Sequence, residues 1–454
     1  MSIFSGERLT NDVFKLDIDR MRGGWYSDKY FANSVELYEK LGRSGYRFSG
    51  ESPELECMGI RPWEMDTGDV HVEMQWFTRR RPFTLVAGVD KALAMIRHCT
   101  GFFDDDGLFK ETHDSLRIDA VEDGVKVYYT GEPSQISPVI RVRGRYRDFA
   151  ILETPTLGAL TRGSRVATNV YLVLEAAGGK PVLFFPARFD AHEMQASDGY
   201  AYDIAVRRYA MDSGMKIGSF VSTDAQGDWW GGAGGGTVAH AAIATFLGDS
   251  AELMVRFAET QPPEIPRIAL VDFHNDSVRD ALAVLRALFD RYRELADRGL
   301  ERDAERFRLY GVRLDTSGSM RDESIPECDD PSQGLGVTPE LVDIVRGEID
   351  RAPEGWDLPD AWRERAYRYC RSVKIVATGG FDADRISRFE RRGVPVDIYG
   401  VGSWLLSSCR GCGTNNDFTA DVVRVMVNGE WIDMAKAGRR PGNNDDLKPV
   451  AFDR

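Results

Sequence analysis

Cysteine is scarce in this chain, with six residues scattered over 454 positions. So few cysteines exclude the dense disulfide framework of a small secreted domain, and reduced thiols are expected. Cys409 and Cys412 form a C-x-x-C pair, but a tetrahedral zinc site needs four ligands and no second pair stands at a matching spacing. A protein-held metal site is therefore disfavoured, and whether this pair binds metal stays open.

The chain also lacks long apolar runs and an excess of positive charge. No stretch approaches the roughly 20 apolar residues of a membrane span, and the first residues show no basic-then-apolar signal pattern. We therefore expect a cytoplasmic protein without a membrane partner. Lys and Arg number 58 against 72 Asp and Glu, a formal net charge of −14. Because Lys and Arg drive binding to nucleic acids, no nucleic-acid partner is expected.

Short apolar runs alternate with helical stretches from about residue 139 onward. The runs are PVLFF (181–185), KIGSF (216–220), IALVD (268–272), LYGVRLD (309–315), KIVATGG (374–380) and VDIYGVG (396–402). Strand, loop and helix repeated at this interval are typical of a parallel sheet with crossover helices. Closing the series would give an irregular TIM-like α/β barrel.

Polar residues and glycines follow these runs where such a barrel carries its active site. In this fold the site lies at the carboxyl ends of the strands, and the last two loops commonly hold a phosphate. The residues concerned are Arg188, Thr223, Asp224, Asp272, Arg313, Asp315, Gly379, Gly380, Gly402 and Ser403. Helix caps and turn glycines explain any one of them, but account poorly for all of them together. We expect them to converge at one rim.

The length favours more than one domain. Residues 1–138 mix helices with alternating strands and predict an additional α+β domain. Residues 139–420 form the predicted barrel. The tail, 421–454, has strand character and a hairpin signal at Asn428-Gly429, and we expect it to pack back on the N-terminal domain.

Several short motifs stand in order along residues 25–442. They are Ser27-Asp28-Lys29-Tyr30, Leu152-Glu153-Thr154, Ala167-Thr168, Phe185-Pro186-Ala187-Arg188, Gly236-Thr237-Val238-Ala239-His240, Val271-Asp272, Gly311-Val312-Arg313-Leu314-Asp315, Thr378-Gly379-Gly380 and Gly400-Val401-Gly402-Ser403. Each motif is weak alone. In their order and spacing they resemble the motifs of the nicotinate phosphoribosyltransferase family, the type II phosphoribosyltransferases, and the chain is also similar to nicotinamide phosphoribosyltransferase.

The chain departs from the family pattern behind Asp315. An extra residue gives Asp-Thr-Ser-Gly-Ser at 315–319 where the family has Asp-Ser-Gly-Asp, so the second carboxylate is missing. Asn275 stands where many relatives have an acid. Whether the altered loop keeps full activity stays open.

The resemblance implies transfer of the ribose phosphate of PRPP to nicotinate, giving nicotinate mononucleotide and pyrophosphate in NAD biosynthesis or salvage, with Mg²⁺ accompanying PRPP. Asp272 and Asp315 would support positive charge on the ribose in the transition state. His240 would be the histidine that ATP phosphorylates in many members, so ATP is a candidate co-substrate, although the degree of coupling stays open.

Binding roles follow from the same resemblance. Arg313, Gly379, Gly380, Gly402, Ser403, Thr168 and His192 would hold phosphate or ribose, and Lys436 and Arg439 are weaker candidates for pyrophosphate. Phe185 and a Tyr30 from a neighbouring subunit would stack on the base, with Arg188 and Asp224 beside it. Shared sites imply a homodimer or higher homo-oligomer, whose size the sequence does not give.

Rival functions remain. The base could be nicotinamide or another ring, since Asp224 would repel an anionic base. A catalytically silent relative with a binding role is a second alternative. An aldolase or isomerase on the same barrel would need a catalytic lysine at a strand end, and the residues found there are acids, arginines and glycines.

Overall fold

The computed structural model describes residues 4–61, 65–132, 135–236, 238–326, 330, 333–408 and 417–452. The chain divides into two compact units. Unit 1 comprises residues 1–169, 200–208 and 407–454, and unit 2 comprises residues 170–199 and 209–406. None of the helices over the described residues has the length and apolar character needed to span a lipid bilayer.

Unit 1 contains an antiparallel sheet with helices around it. Its helices are α1 (Asn11–Phe14), α2 (Ile18–Arg22), α3 (Lys29–Ser44), α4 (Pro53–Cys57) and α5 (Val89–Cys99), together with parts of α6 (Glu153–Ala176) and α7 (Gln195–Ser213). Its strands are β1 (His71–Thr78), β2 (Phe83–Leu85), β3 (Gly101–Phe103), β4 (Phe109–Glu111), β5 (Arg117–Ala120), β6 (Lys126–Tyr128), β7 (Ile140–Arg145), β13 (Phe418–Val427), β14 (Glu430–Asp433) and β15 (Lys448–Pro449).

The main sheet of unit 1 joins the N-terminal region to the tail. Its strand order is β14-β13-β1-β7-β5-β15. Strand β1 is central and buried from Val72 onward, and β13 of the tail pairs antiparallel with it. The β13–β14 hairpin turns at Asn428 and Gly429, with φ of +52° and +83°, as the Asn-Gly signal predicted.

Unit 2 contains a parallel sheet flanked by helices, so the predicted α/β class is confirmed. The strands are β8 (Val182–Phe184), β9 (Ile268–Leu270), β10 (Gly311–Leu314), β11 (Lys374–Ala377) and β12 (Ile398–Val401). The helices are α8 (Asp224–Gly227), α9 (His240–Thr245), α10 (Ser250–Thr260), α11 (Ser277–Asp297), α12 (Glu301–Glu305), α13 (Pro339–Arg351), α14 (Asp360–Ser372) and α15 (Ala383–Arg391).

The closed barrel expected from the sequence is not found in the strand pairing of the described residues. The ladder is open, in the order β8-β12-β11-β10-β9. The run 216–220 was predicted as a strand, but pairing there is reduced to isolated parallel bridges from Val221 to Phe184 and to Gly234. Gly218 weakens an extended run, and a capping box at Thr223 starts α8 directly behind it.

Candidate active site

Three adjacent strands bring Asp272, Asp315 and Thr378 into one row. Leu270 pairs with Arg313, and Leu314 pairs with Ala377. The same pairing continues past the strand ends, because the Val271 N–H donates to Arg313 and the Thr378 N–H donates to Leu314. Parallel neighbours at the same level project to the same face about 4.8 Å apart. The two carboxylates therefore lie side by side at the carboxyl edge of the sheet.

His240 begins α9 and contacts the first of these carboxylates. Its Nε2 lies 3.0 Å from Oδ2 and 3.1 Å from Oδ1 of Asp272. The imidazole is 47 % exposed and the carboxylate only 8 % exposed, so one face of the ring is open to a reactant. Burial raises the pKa of Asp272 above its ordinary value; the nearby His240 opposes this rise and Asp315 adds to it. Thr237, in the same motif as His240, lies outside the described residues.

Thr378 fixes the second carboxylate. Its hydroxyl lies 2.7 Å from Oδ1 of Asp315 and 2.9 Å from the Leu314 carbonyl. Thr378 is buried, so this contact is shielded from water. Thr378 had no predicted role of its own, although it stands directly before the Gly379-Gly380 pair.

Arg313 lies on β10 with a buried donor that has no partner. Its Nε has no hydrogen-bond acceptor among the described residues. Burial lowers the pKa of the guanidinium, the carboxylates of Asp315 and Asp272 oppose that shift, and Arg188 adds to it. Several other arginines of the described residues share an unpaired Nε, so the two nearby acids, rather than the unpaired donor, distinguish Arg313. Arg313, Asp315, Asp272 and Arg188 thus share one electrostatic environment.

Two glycines let aromatic rings approach the row. A Cβ on Gly400 would lie 2.5 Å from the Thr378 methyl and 3.0 Å from the Phe185 ring. A Cβ on Gly402 would lie 2.7 Å from the ring of Phe189. Phe185 is half-buried and Phe189 is exposed, and sequence reasoning did not single out the second ring. The arrangement places flat apolar surface beside the carboxylates, as a planar base requires.

Further polar candidates of unit 2 are exposed. The Arg188 guanidinium stands 5.3 Å from the centre of the Phe189 ring. Asp224 accepts the Gly234 N–H at 2.9 Å, so its carboxylate also fastens the glycine-rich run. His192 is 86 % exposed and faces its neighbour Glu193, and no described contact joins it to the row. Ser403 is exposed and opens a short 3₁₀ turn, Ser403–Leu406.

The remaining candidates belong to unit 1. Tyr30 is exposed and its hydroxyl contacts Asp28 at 3.1 Å. Thr168 is buried, and its hydroxyl bonds to the backbone of Ser164 and Leu85. Arg439 pairs with Asp421 at 2.7 Å, and Lys436 is exposed. Their roles in binding base, ribose or pyrophosphate stay predictions.

Asp322 is a further residue that the sequence did not reveal. It is 1 % exposed and accepts the N–H and hydroxyl of Ser277, the latter at 2.6 Å, and the N–H of Ser324 at 2.9 Å. Thr316 contacts it at 3.4 Å. Asp322 therefore ties the loop behind Asp315 to the start of α11. A lone aspartate in a polar loop gives no sequence signal of this contact.

Clusters of metal-binding side chains were sought over the part of the chain that the structure describes. No group of three or more His, Cys, Asp or Glu side chains there is arranged to hold an ion. Cys409 and Cys412 fall outside the described residues, as does Cys328, so the C-x-x-C question is not addressed.

Comparison with known proteins gives a consistent picture. No protein-family model matches the chain. A nicotinate phosphoribosyltransferase of Mycobacterium tuberculosis is 26 % identical over 319 residues, which are 70 % of this chain and 55 % of that protein. The match thus spans about half the length of this curated relative.

Two solved structures share the fold. The nicotinate-nucleotide pyrophosphorylase of Pyrococcus furiosus has a TM-score of 0.59 at 23 % identity, covering 96 % of this chain and 85 % of its own. Human nicotinic acid phosphoribosyltransferase has a TM-score of 0.52 at 16 % identity, covering 88 % and 74 %. The sequence of the mycobacterial relative thus supports the family resemblance that the motifs predicted, and the two solved structures show a shared fold.

Proposed function

We propose that this chain is a nicotinate phosphoribosyltransferase, which joins nicotinate to the ribose 5-phosphate unit of PRPP and releases pyrophosphate. The product would be nicotinate mononucleotide, a precursor in NAD biosynthesis or salvage, formed in the cytoplasm. The observation that carries the proposal is the row of Asp272 and Asp315, with the guanidinium of Arg313 close enough to interact with both carboxylates. Two acids and a cation at one sheet edge suit a sugar phosphate.

The row supports the chemistry at C1 of the ribose. Loss of pyrophosphate leaves positive charge on the ring, and fixed carboxylates near that charge lower the barrier. Thr378 holds Asp315 at 2.7 Å, so little reorganisation is needed when the charge develops. Arg313 is placed to donate to a phosphate or to the base. Mg²⁺ would arrive with PRPP, because this ion keeps most of its waters and needs only one or two carboxylates.

His240 is the candidate for coupling to ATP. Its ring contacts Asp272 through Nε2 while nearly half of the side chain remains exposed. A carboxylate that orients an imidazole makes it a better nucleophile toward a phosphoryl group. ATP as co-substrate is part of the proposal. A His240→Ala variant that is still stimulated by ATP would overturn the phosphohistidine route.

The base is assigned from the groups around Phe185. Arg188 supplies a cation for the carboxylate of nicotinate, and its contact with Phe189 holds it near the aromatic surface. The carboxylate of Asp224 is engaged by Gly234, which reduces its conflict with an anionic base. A second ring from Tyr30 of another subunit, and hence a homodimer or higher oligomer, is proposed with it. We also propose that the open parallel sheet of unit 2 belongs to an irregular α/β barrel.

Steady-state assays test the assignment. Purified protein is incubated with Mg²⁺, PRPP and nicotinate, nicotinamide or another ring base, with and without ATP. We expect turnover with nicotinate and pyrophosphate release. Asp315→Asn should abolish turnover, whereas the matched surface change Asp384→Asn on α15 should not. Preference for nicotinamide would favour the sister transferase, and the absence of turnover with every base would favour a binding role.

A further inference from the structure

Arg385, on α15, forms hydrogen bonds with the turn that follows β11. Its Nη1 donates to the carbonyl of Gly379 at 2.8 Å and to that of Gly380 at 3.2 Å. Its Nη2 donates to the carbonyl of Val337 at 2.6 Å, in the segment that leads from Asp315 to α13. One guanidinium thus joins the turn behind β11 to the segment behind β10.

These contacts with the carbonyls of Gly379 and Gly380 determine which way the peptide N–H groups of the turn face. In a trans peptide the N–H points opposite to the carbonyl, so the N–H groups of Gly380 and Phe381 face away from Arg385. Neither N–H has a hydrogen-bond acceptor among the described residues. Gly379 and Gly380 have φ of +87° and +71°, and consecutive N–H groups in such a turn form a concave anion site.

The turn is held on its other side by the active-site row. A Cβ on Gly379 would lie 3.4 Å from Oδ1 of Asp315. The free N–H groups therefore belong to a turn that packs between the Arg385 guanidinium and the Asp315 carboxylate. A change in the Arg385 contacts would alter this turn without touching the carboxylates directly.

Arg385 also brings a positive charge to the turn. The three acceptors of its side-chain hydrogen bonds are backbone carbonyls. It forms no ion pair with any described residue. The guanidinium lies 4.3 Å from the centre of the Phe381 ring, which shields it from water. The nearby Asp382 attracts this charge and the Asp315 carboxylate lies on the other side of the turn, so the three carbonyl contacts are what remain for Arg385 to act through.

We propose that Arg385 is a positioning residue for the phosphate of the sugar substrate, through the orientation of the Gly379-Gly380 turn. The proposal rests on the proposed function, since it names a determinant of PRPP binding at the same site. It predicts that PRPP affinity depends on a side chain that need not touch PRPP.

Three variants test this proposal. Arg385→Met removes the charge and all three contacts, Arg385→Lys keeps the charge with fewer contacts, and Arg391→Met removes an exposed arginine of the same helix as a control. Binding of PRPP with Mg²⁺ is measured by calorimetry, and KM is measured for PRPP and for nicotinate. We expect Arg385→Met to weaken PRPP binding by about 10- to 100-fold. Arg385→Lys should be intermediate, and KM for nicotinate should hardly change.

The outcomes separate this proposal from the proposed function. If the unaltered protein does not bind PRPP, the transferase assignment fails. If it binds PRPP and Arg385→Met binds equally well, the role of Arg385 is wrong. A KM that rises equally for both substrates would indicate general loosening of the fold and would also overturn it. If Arg385→Met does not fold, an unchanged PRPP affinity of Arg385→Lys would be decisive against it.

Discussion

The Nε2 atom of His240 lies 3.0 Å from the carboxylate of Asp272, although 32 residues separate them in the chain. The two groups reach each other because α9 starts at His240 and β9 ends two residues before Asp272. This contact joins the candidate phosphoryl acceptor to the row that would face the ribose.

Asp272→Asn should reduce activity and increase stability. Burial raises the pKa of Asp272, so ionising it in the folded protein costs free energy at neutral pH. Its contribution to stability is present below the ordinary pKa of aspartate and is lost as the pH rises through the raised value. The amide avoids this cost but removes the charge, and we expect turnover to fall about 100-fold or more. Thermal unfolding at pH 7 and initial rates measure both effects, and a less stable variant would contradict the electrostatic argument.

Gly400→Ala should damage the site through packing. The new methyl would meet the Thr378 side chain at 2.5 Å and the Phe185 ring at 3.0 Å. Overpacking of this kind costs about 1–3 kcal/mol. Gly355→Ala is the matched control, since nothing lies within 4 Å of a Cβ there. Urea unfolding compares the two variants, and equal stabilities would mean that Gly400 has no such packing constraint.

Asp322→Ala should loosen the loop behind Asp315. The substitution leaves the N–H and hydroxyl of Ser277 without their buried acceptor, which costs about 1–3 kcal/mol for each group left unsatisfied. The Asp322 carboxylate also accepts a hydrogen bond from Thr316, which is next to Asp315. Because this contact is lost as well, KM for PRPP should rise. Stability and KM are measured beside Ser319→Ala, an exposed change in the same loop. If the variant shows the expected loss of stability but an unaltered KM, the contacts of Asp322 do not affect PRPP binding.

Glu153→Gln should stabilise the protein selectively in alkaline solution. Burial, reinforced by Asp421 and Asp28, raises the pKa of Glu153 to about 8. Since the folded pKa lies above the unfolded one, the stabilising effect of the proton is present below about pH 4.5 and is lost as the pH rises to about 8. We expect the variant to gain on the order of 5 °C in Tm at pH 9 and little at pH 5. Melting curves at both pH values test this prediction. Equal gains in Tm at pH 5 and pH 9 would show that the stabilisation does not come from the raised pKa of Glu153.

The order of strands and helices could be predicted from the sequence. The runs that became β8, β9, β10, β11 and β12 were all identified, because a buried parallel strand needs a continuous apolar run. The Asn428-Gly429 turn was also evident, since its two positive φ angles favour these residues. The run before Val221 was predicted as a strand but forms only isolated bridges at Val221, because Gly218 weakens it and α8 starts directly behind it.

The candidate site divides in the same way. Asp272, Asp315 and the glycines of the last two loops were predicted because they stand directly behind strands, and Arg313 because it stands on a strand two residues before Asp315; their roles stay predictions. The contacts of Thr378, Asp322 and Arg385 were not found, because hydrogen bonds between separate loops depend on strand register and loop path. Sequence alone thus determined the residue types at the strand ends. Only the tertiary structure decided which of them meet and left the strand ladder open, since distances of about 3 Å are set by packing between distant segments.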